Sequence, residues 1–127
     1  SVTALINYYQ SQNITIEEVI DGKYIIEKYL AGEENAISAM QFHFDYLAAG
    51  ITSFINVFSP QKVIIGGGIS ESGSFYIDEI TKRIQATAIP VALSNTKIVA
   101  ASLGNKAGLL GCCAKAFQQF KTFEYVL

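Results

Sequence analysis

This sequence predicts an α/β fold, helix-rich with a short parallel sheet, on three observations. Two short β-branched runs, Lys62–Ile65 and Lys97–Ala100, read as strands. A helical pattern from Ser72 to Thr87 separates them, and another opens at Asn105. Apolar residues at helical spacing fill most of the chain before Pro60. Helices first, then strand–helix–strand–helix, imply a parallel strand pair joined by a right-handed crossover.

The elements follow from local residue choice. Val2, Leu5, Ile6 and Tyr9 recur at helical spacing and predict a first helix over about ten residues. Thr15 is a candidate cap for a short turn over Ile16 to Ile20, with Glu17 and Glu18 in its first turn. Asp21-Gly22 signals a turn, and Tyr24, Ile25, Lys28 and Tyr29 predict a second helix closed by Gly32.

The strongest period comes next: Ile37, Met40, Phe44, Leu47, Ile51, Phe54 and Phe58 alternate spacings of three and four residues. That makes one apolar stripe, and Phe42, Tyr46, Ile55 and Val57 lie off it. The simple reading is a core helix buried on more than one side; the alternative is a homodimer helix over residues 33–58. Pro60 ends it, and Pro90 interrupts the region before the second strand. In the last helix Leu110, Ala114 and Phe117 share a face, while Gly104, Gly108 and Gly111 suit close approach to a neighbour. Residues 121–127 carry no assignment.

Composition sets limits. At 127 residues, half of them apolar, the chain is one domain able to bury a core. Nine Lys plus Arg against eleven Asp plus Glu give a net charge of −2, without a basic cluster to grip nucleic acid by its phosphates. The longest uncharged run, Tyr46 to Gln61, is broken by Gly50, Thr52, Ser53, Asn56 and Ser59, so no membrane span is expected. Adjacent Cys112 and Cys113 are poorly placed for a disulfide with each other and predict a reducing, cytoplasmic setting. They point about 100° apart on a helix, which leaves room for one to be buried. No secretory signal is read. Helical spacing begins at once after Ser1, which predicts a piece of a longer polypeptide.

The best chemical candidate is Gly66-Gly67-Gly68-Ile69-Ser70, between a strand and a helix. Ligands of open α/β sheets bind outside the carboxyl ends of strands, and glycines allow close backbone approach and positive φ. Their N–H groups, with Ser72 to Ser74 beyond, suit a phosphate or nucleotide; a tight packing turn is the competing reading. A dinucleotide fingerprint needs glycine where Glu71 stands, and no Gly-Lys-Ser/Thr run exists, so such a turn is one wall of a site and not a full cradle. His43, the sole histidine, reads as packing or surface. Asp21, Glu33, Glu34, Glu71, Asp78 and Glu79 read as caps and solvated charge. Neither a catalytic set nor a metal site is expected.

Two motifs carry a resemblance. Residues 60–70, PQKVIIGGGIS, resemble the adenosine-side motif of the ROK family of bacterial sugar kinases and sugar-responsive repressors. Residues 101–111, ASLGNKAGLLG, are similar to its C-terminal signature, and residues 1–5, SVTAL, to the helix after its zinc-binding loop. The resemblance implies the C-terminal lobe of an actin-like ATPase (ribonuclease H-like) fold over residues 1–127. It implies nucleotide contact at Gly66, Gly67, Gly68, Ile69 and Ser70, with ATP and Mg²⁺ as cofactors of the full protein. The implied activity is transfer of the ATP γ-phosphoryl group to a hexose hydroxyl; the alternative is a sugar-sensing, dimerising repressor lobe without turnover. The family's Asp-Gly-Thr phosphate loop, catalytic aspartate, zinc motif and sugar-binding Glu-His match nothing here. The isolated chain is therefore expected to be inactive, and its implied partners are an N-terminal lobe, a sugar and a second copy.

Overall fold

A computed structural model describes residues 1–12 and 19–124, with all side chains among them except those of residues 105 and 121–124. The order is α1 (Val2–Gln10), α2 (Gly22–Leu30), α3 (Glu34–Phe58), β1 (Lys62–Ile65), α4 (Ser74–Thr87), the single turn α5 (Pro90–Leu93), β2 (Lys97–Ala100) and α6 (Ala107–Glu124). The expected turn over Ile16 to Ile20 falls largely outside the described residues. Short 3₁₀ turns at Gly68–Glu71 and Gly104–Lys106 follow the two strands.

The strands pair in parallel, with Lys62 opposite Lys97 and Ile65 opposite Ala100, as the strand–helix–strand order predicts. The backbone bonds Lys97 N–H to Gln61 O (3.0 Å) and Ala101 N–H to Ile65 O (2.8 Å) extend the pairing past both ends.

Side-chain caps mark the starts of α1 and α2. The Ser1 side chain accepts from Ala4 N–H and the Asp21 side chain from Tyr24 N–H. Helix α3 stops at Ser59, left-handed at φ 41°, just before Pro60. Helix α4 begins two residues later than the sequence suggests, because residues 68–71 wind into a 3₁₀ turn and Gly73 takes the cap position. Pro90 does not merely interrupt: it starts α5, where its fixed φ and missing N–H are tolerated.

The core lies on α3. Leu5 and Tyr9 of α1, Ile25 and Ile26 of α2, and Tyr76, Ile80 and Ile84 of α4 are buried with Met40, Phe44 and Ile55. Ala36, Ala39 and Ala48 are buried as well, and their small side chains let neighbouring helices approach closely.

The buried face of α3 is not the expected stripe. Ala36, Met40, Phe44, Ala48, Thr52 and Ile55 face inward, whereas Phe54 and Phe58 are 63% and 68% exposed. Spacings of three and four average 3.5 residues, and such a row drifts about 20° per heptad on a straight helix. Drift alone does not explain the exposure: Phe54 and Phe58 lie 18 residues, five full turns, after buried Ala36 and Met40 and share their azimuth, but at this end of α3 the neighbouring elements cover the side of Thr52 and Ile55 instead.

Helix α6 departs furthest from expectation. Leu109, Leu110, Phe117 and Phe120 are exposed, and a Cβ at Gly108 or Gly111 would meet nothing within 4 Å. Among the described residues, no neighbour uses the close approach those glycines permit. Both Cys112 and Cys113 are exposed free thiols. No helix of the described residues is long and apolar enough to cross a membrane.

Candidate functional site

The bend after β1 is exposed at Gly66, Gly67 and Gly68 and closes at its far end, where Ile69 is half-buried and Ser70 buried. Gly67 sits at φ 99° and ψ 164°, a conformation open almost only to glycine. A Cβ at Gly67 or Gly68 would meet nothing within 4 Å, so backbone is presented to open space. At Gly66 a Cβ would stand 3.3 Å from that of Ala101, because the chain segments leaving the two strands run side by side.

Serines fix the bend from behind. Ser70 Oγ donates to Gly67 O (2.7 Å), and Ser72 Oγ donates to Ile69 O (2.7 Å). The buried Ser70 hydroxyl is thus engaged within the turn and shapes it.

Gly68 and Ile69 form one wall of a cavity of about 200 Å³. Asp21, Gly22, Lys23 and Ile26 at the start of α2 form the opposite wall, with Val2 beside them. Small-molecule sites commonly span about 300–1,000 Å³. This cavity is smaller than that and partly open to solvent. The α2 residues stand more than 40 positions before the bend, and only tertiary packing brings them to it.

A second set of polar groups, between α3 and α4, is closed. His43 Nε2 and Tyr76 Oη share a 2.7 Å hydrogen bond, and Thr52 Oγ1 lies 3.1 Å from Thr87 Oγ1. Burial, and secondly the positive amino terminus of Ser1, hold the His43 pKa below its ordinary value. Burial pushes Tyr76 up to about 12. Burial opposes charge on Arg83 too, but the hydrogen bonds it donates to Glu79 and Asp45 outweigh it and raise its pKa. Arg83 Nε meets Asp45 at 2.6 Å, its Nη1 pairs with Glu79, and its guanidinium lies 5.1 Å from the Phe44 ring centre. Every buried side-chain polar atom among the described residues has a partner, which marks this cluster as packing.

Two glutamates do more than cap helices or face solvent. Glu33 accepts from the Tyr9 hydroxyl at 2.9 and 3.0 Å and Glu79 pairs with Arg83, whereas Glu71 is exposed, with its carboxylate beside Gly104. Among the described residues no group of three or more His, Cys, Asp and Glu could hold a metal ion.

Ligands of open α/β sheets bind outside the carboxyl ends of strands, and the glycine bend leaves a parallel strand at such an edge, beside an open cavity. The chain belongs to the ROK family, whose model matches residues 1–119. It is 30% identical over 93 residues to a glucokinase of Halalkalibacterium halodurans, covering 73% of this chain and 28% of that protein. It is 28% identical over 113 residues to a putative xylose repressor of a Caldicellulosiruptor species, covering 88% and 28%. A ROK family glucokinase from Streptomyces griseus, solved in complex with glucose and AMPPNP, superposes with a TM-score of 0.73 at 28% identity, covering 87% of this chain and 40% of that one. The chain thus spans under a third of the length of these two sequence relatives.

Proposed function

We propose that this chain is the C-terminal, nucleotide-side lobe of an ATP-dependent sugar kinase of actin-like fold. The parent protein transfers the ATP γ-phosphoryl group to a hexose hydroxyl, and ATP with Mg²⁺ supplies the reacting group and its charge neutralisation. The observation that carries the reading is the exposed bend at Gly66–Gly68 opening beside a subsite-sized cavity. In this reading the three glycines bring backbone N–H groups to the nucleotide. Ile69 offers an apolar wall to the base, and Ser70 holds the turn in shape. Asp21, Lys23 and Ile26 form the facing wall.

Phosphoryl transfer depends on positioning and charge stabilisation, and an acceptor hydroxyl also needs a base. Those groups belong to the other lobe in this reading, so the isolated chain is inactive. The similarity to a glucokinase captured with glucose and AMPPNP supports the assignment of sugar and ATP.

One observation favours a second reading, a sugar-sensing repressor lobe without turnover: the match to the putative xylose repressor covers more of this chain than the glucokinase match. An Asp-Gly-Thr loop or a helix-turn-helix preceding Ser1 in the parent sequence separates the two. Subunit contact through helix 33–58 suits either reading, with Tyr46, Phe54, Val57 and Phe58 exposed on α3.

Titrating the isotope-labelled chain with ATP to millimolar concentration tests the site. Amide shifts are expected at residues 66–70 and 22–26, and Gly67→Val abolishes them while the chain remains folded. A branched side chain there projects into the approach space and strains the backbone by about 1–3 kcal/mol. No shifts, or shifts confined to other regions, overturn the nucleotide reading.

A further inference from the structure

Two turns leave the sheet side by side, one after each strand. Residues 68–71 form the first and residues 104–106 the second. Glu71 is the last residue of the first turn and Gly104 opens the second, at φ 51°. A Cβ placed on Gly104 would fall inside the Glu71 carboxylate, 2.8 Å from its Cδ and 3.4 Å from its Cγ. Side-chain space that any other residue would fill at position 104 is occupied by a side chain from 33 residues earlier.

We propose that Glu71 is a positioning residue that clasps the two strand-exit turns together, so that they present one rigid wall to the ligand. Its side chain bears on Gly104 from the nucleotide turn itself, one residue beyond the buried Ser70. The hydrogen bonds of Ser70 and Ser72 tie the first turn only to itself. Between the turns, the sheet bond from Ala101 N–H to Ile65 O lies at their base, and Glu71 reaches beyond it. Gly104 meets the demand of positive φ, and its missing Cβ leaves room for the exposed Glu71 carboxylate, which would have to move aside for a side chain there.

The clasp is a statement about the folded chain; its effect on ligand binding rests on the nucleotide reading above. The two are tested separately. Urea unfolding of the chain carrying Glu71→Ala, Gly104→Ala or both measures the clasp. The Gly104→Ala penalty combines backbone strain with displacement of Glu71, and only the second disappears in the double variant. Non-additivity shows only that a side chain at position 104 meets Glu71; the clasp requires that Glu71→Ala alone raise the unfolding constant about fivefold or more. An effect of Glu71→Ala within about twofold overturns the clasp. Asn tolerates positive φ, so Gly104→Asn replaces the alanine variant if that one does not fold.

Amide spectra without nucleotide give the second measure. Glu71→Ala should shift the signals of residues 101–106 and of Gly66–Gly68, and Glu71→Gln, with the same shape, should restore them. Signals at 101–106 unmoved by Glu71→Ala overturn the proposal. ATP titration then addresses ligand binding: Glu71→Ala is expected to weaken it several-fold, with Glu71→Gln near the parent chain. Undiminished ATP affinity in Glu71→Ala overturns the positioning role even if the turns are coupled. Absence of ATP binding in the parent chain instead rejects the nucleotide reading, while urea unfolding of Glu71→Ala still decides the clasp.

Discussion

The α3–α4 layer and the sheet-exit edge with α6 use similar residues to opposite ends. In the layer, aromatic and polar groups close on one another: Phe44 is 1% exposed, His43 bonds Tyr76, and Arg83 is held by two carboxylates. At the edge, glycines face open space and Phe117 and Phe120 are about three-quarters exposed. A sequence half apolar throughout thus saturates one side internally and leaves the other available. Burial, rather than residue type, separates the half that stabilises from the half that presents a surface.

The largest effect that would break this contrast lies at Phe44. Its ring contacts Tyr76 and Tyr29 and lies beneath Arg83. Phe44→Ala is expected to destabilise the chain by about 3–5 kcal/mol, through lost transfer energy and the cavity left behind. Phe44→Asp should leave no cooperative folded state, since it buries an unpaired carboxylate. Urea unfolding of the first and the far-ultraviolet circular dichroism of the second check this. A loss below about 1 kcal/mol for Phe44→Ala means that this layer is not the source of stability.

The backbone plan is legible in the sequence because its signals are local. The strands Lys62–Ile65 and Lys97–Ala100, the stop before Pro60 and the glycine bend each depend on a few adjacent residues. A Cβ at Gly67 or Gly68 would meet nothing within 4 Å. What stayed hidden needs distance. The His43–Tyr76 bond joins residues 33 positions apart, and the cavity joins Asp21 and Lys23 to Gly68. No periodicity encodes such pairs. The exposure of Phe54 and Phe58 escaped for a related reason: they share an azimuth with buried Ala36 and Met40, and only the placement of the neighbouring elements decides which side of each turn is covered.

The next effect sharpens the comparison through pH. His43 has a folded-state pKa below its ordinary 6.5, so the unfolded chain binds a proton more readily. Its contribution to stability is complete above pH 6.5 and is lost as pH falls from there through the folded value. The loss is at most about 1.4 kcal/mol per pH unit inside that window. His43→Gln should flatten this part of the stability profile measured by urea unfolding from pH 7 downward. An unchanged slope assigns the titration to other groups and removes His43 from the saturated cluster.

The smallest expected effect tests the open side. Phe117 is 73% exposed on α6, so replacing it by serine removes little buried area from this chain. Phe117→Ser should change the unfolding free energy by no more than about 0.5 kcal/mol. A core phenylalanine lost in the same assay costs several times more, which makes the pair a direct measure of how differently the two regions are covered. Repeating the Phe117→Ser measurement across protein concentrations gives the contrast a second edge. A cost of about 2 kcal/mol or more that grows with concentration would show α6 buried against a second copy. The apolar face would then belong to the saturated class, and the division between the two regions would lie between copies rather than within one chain.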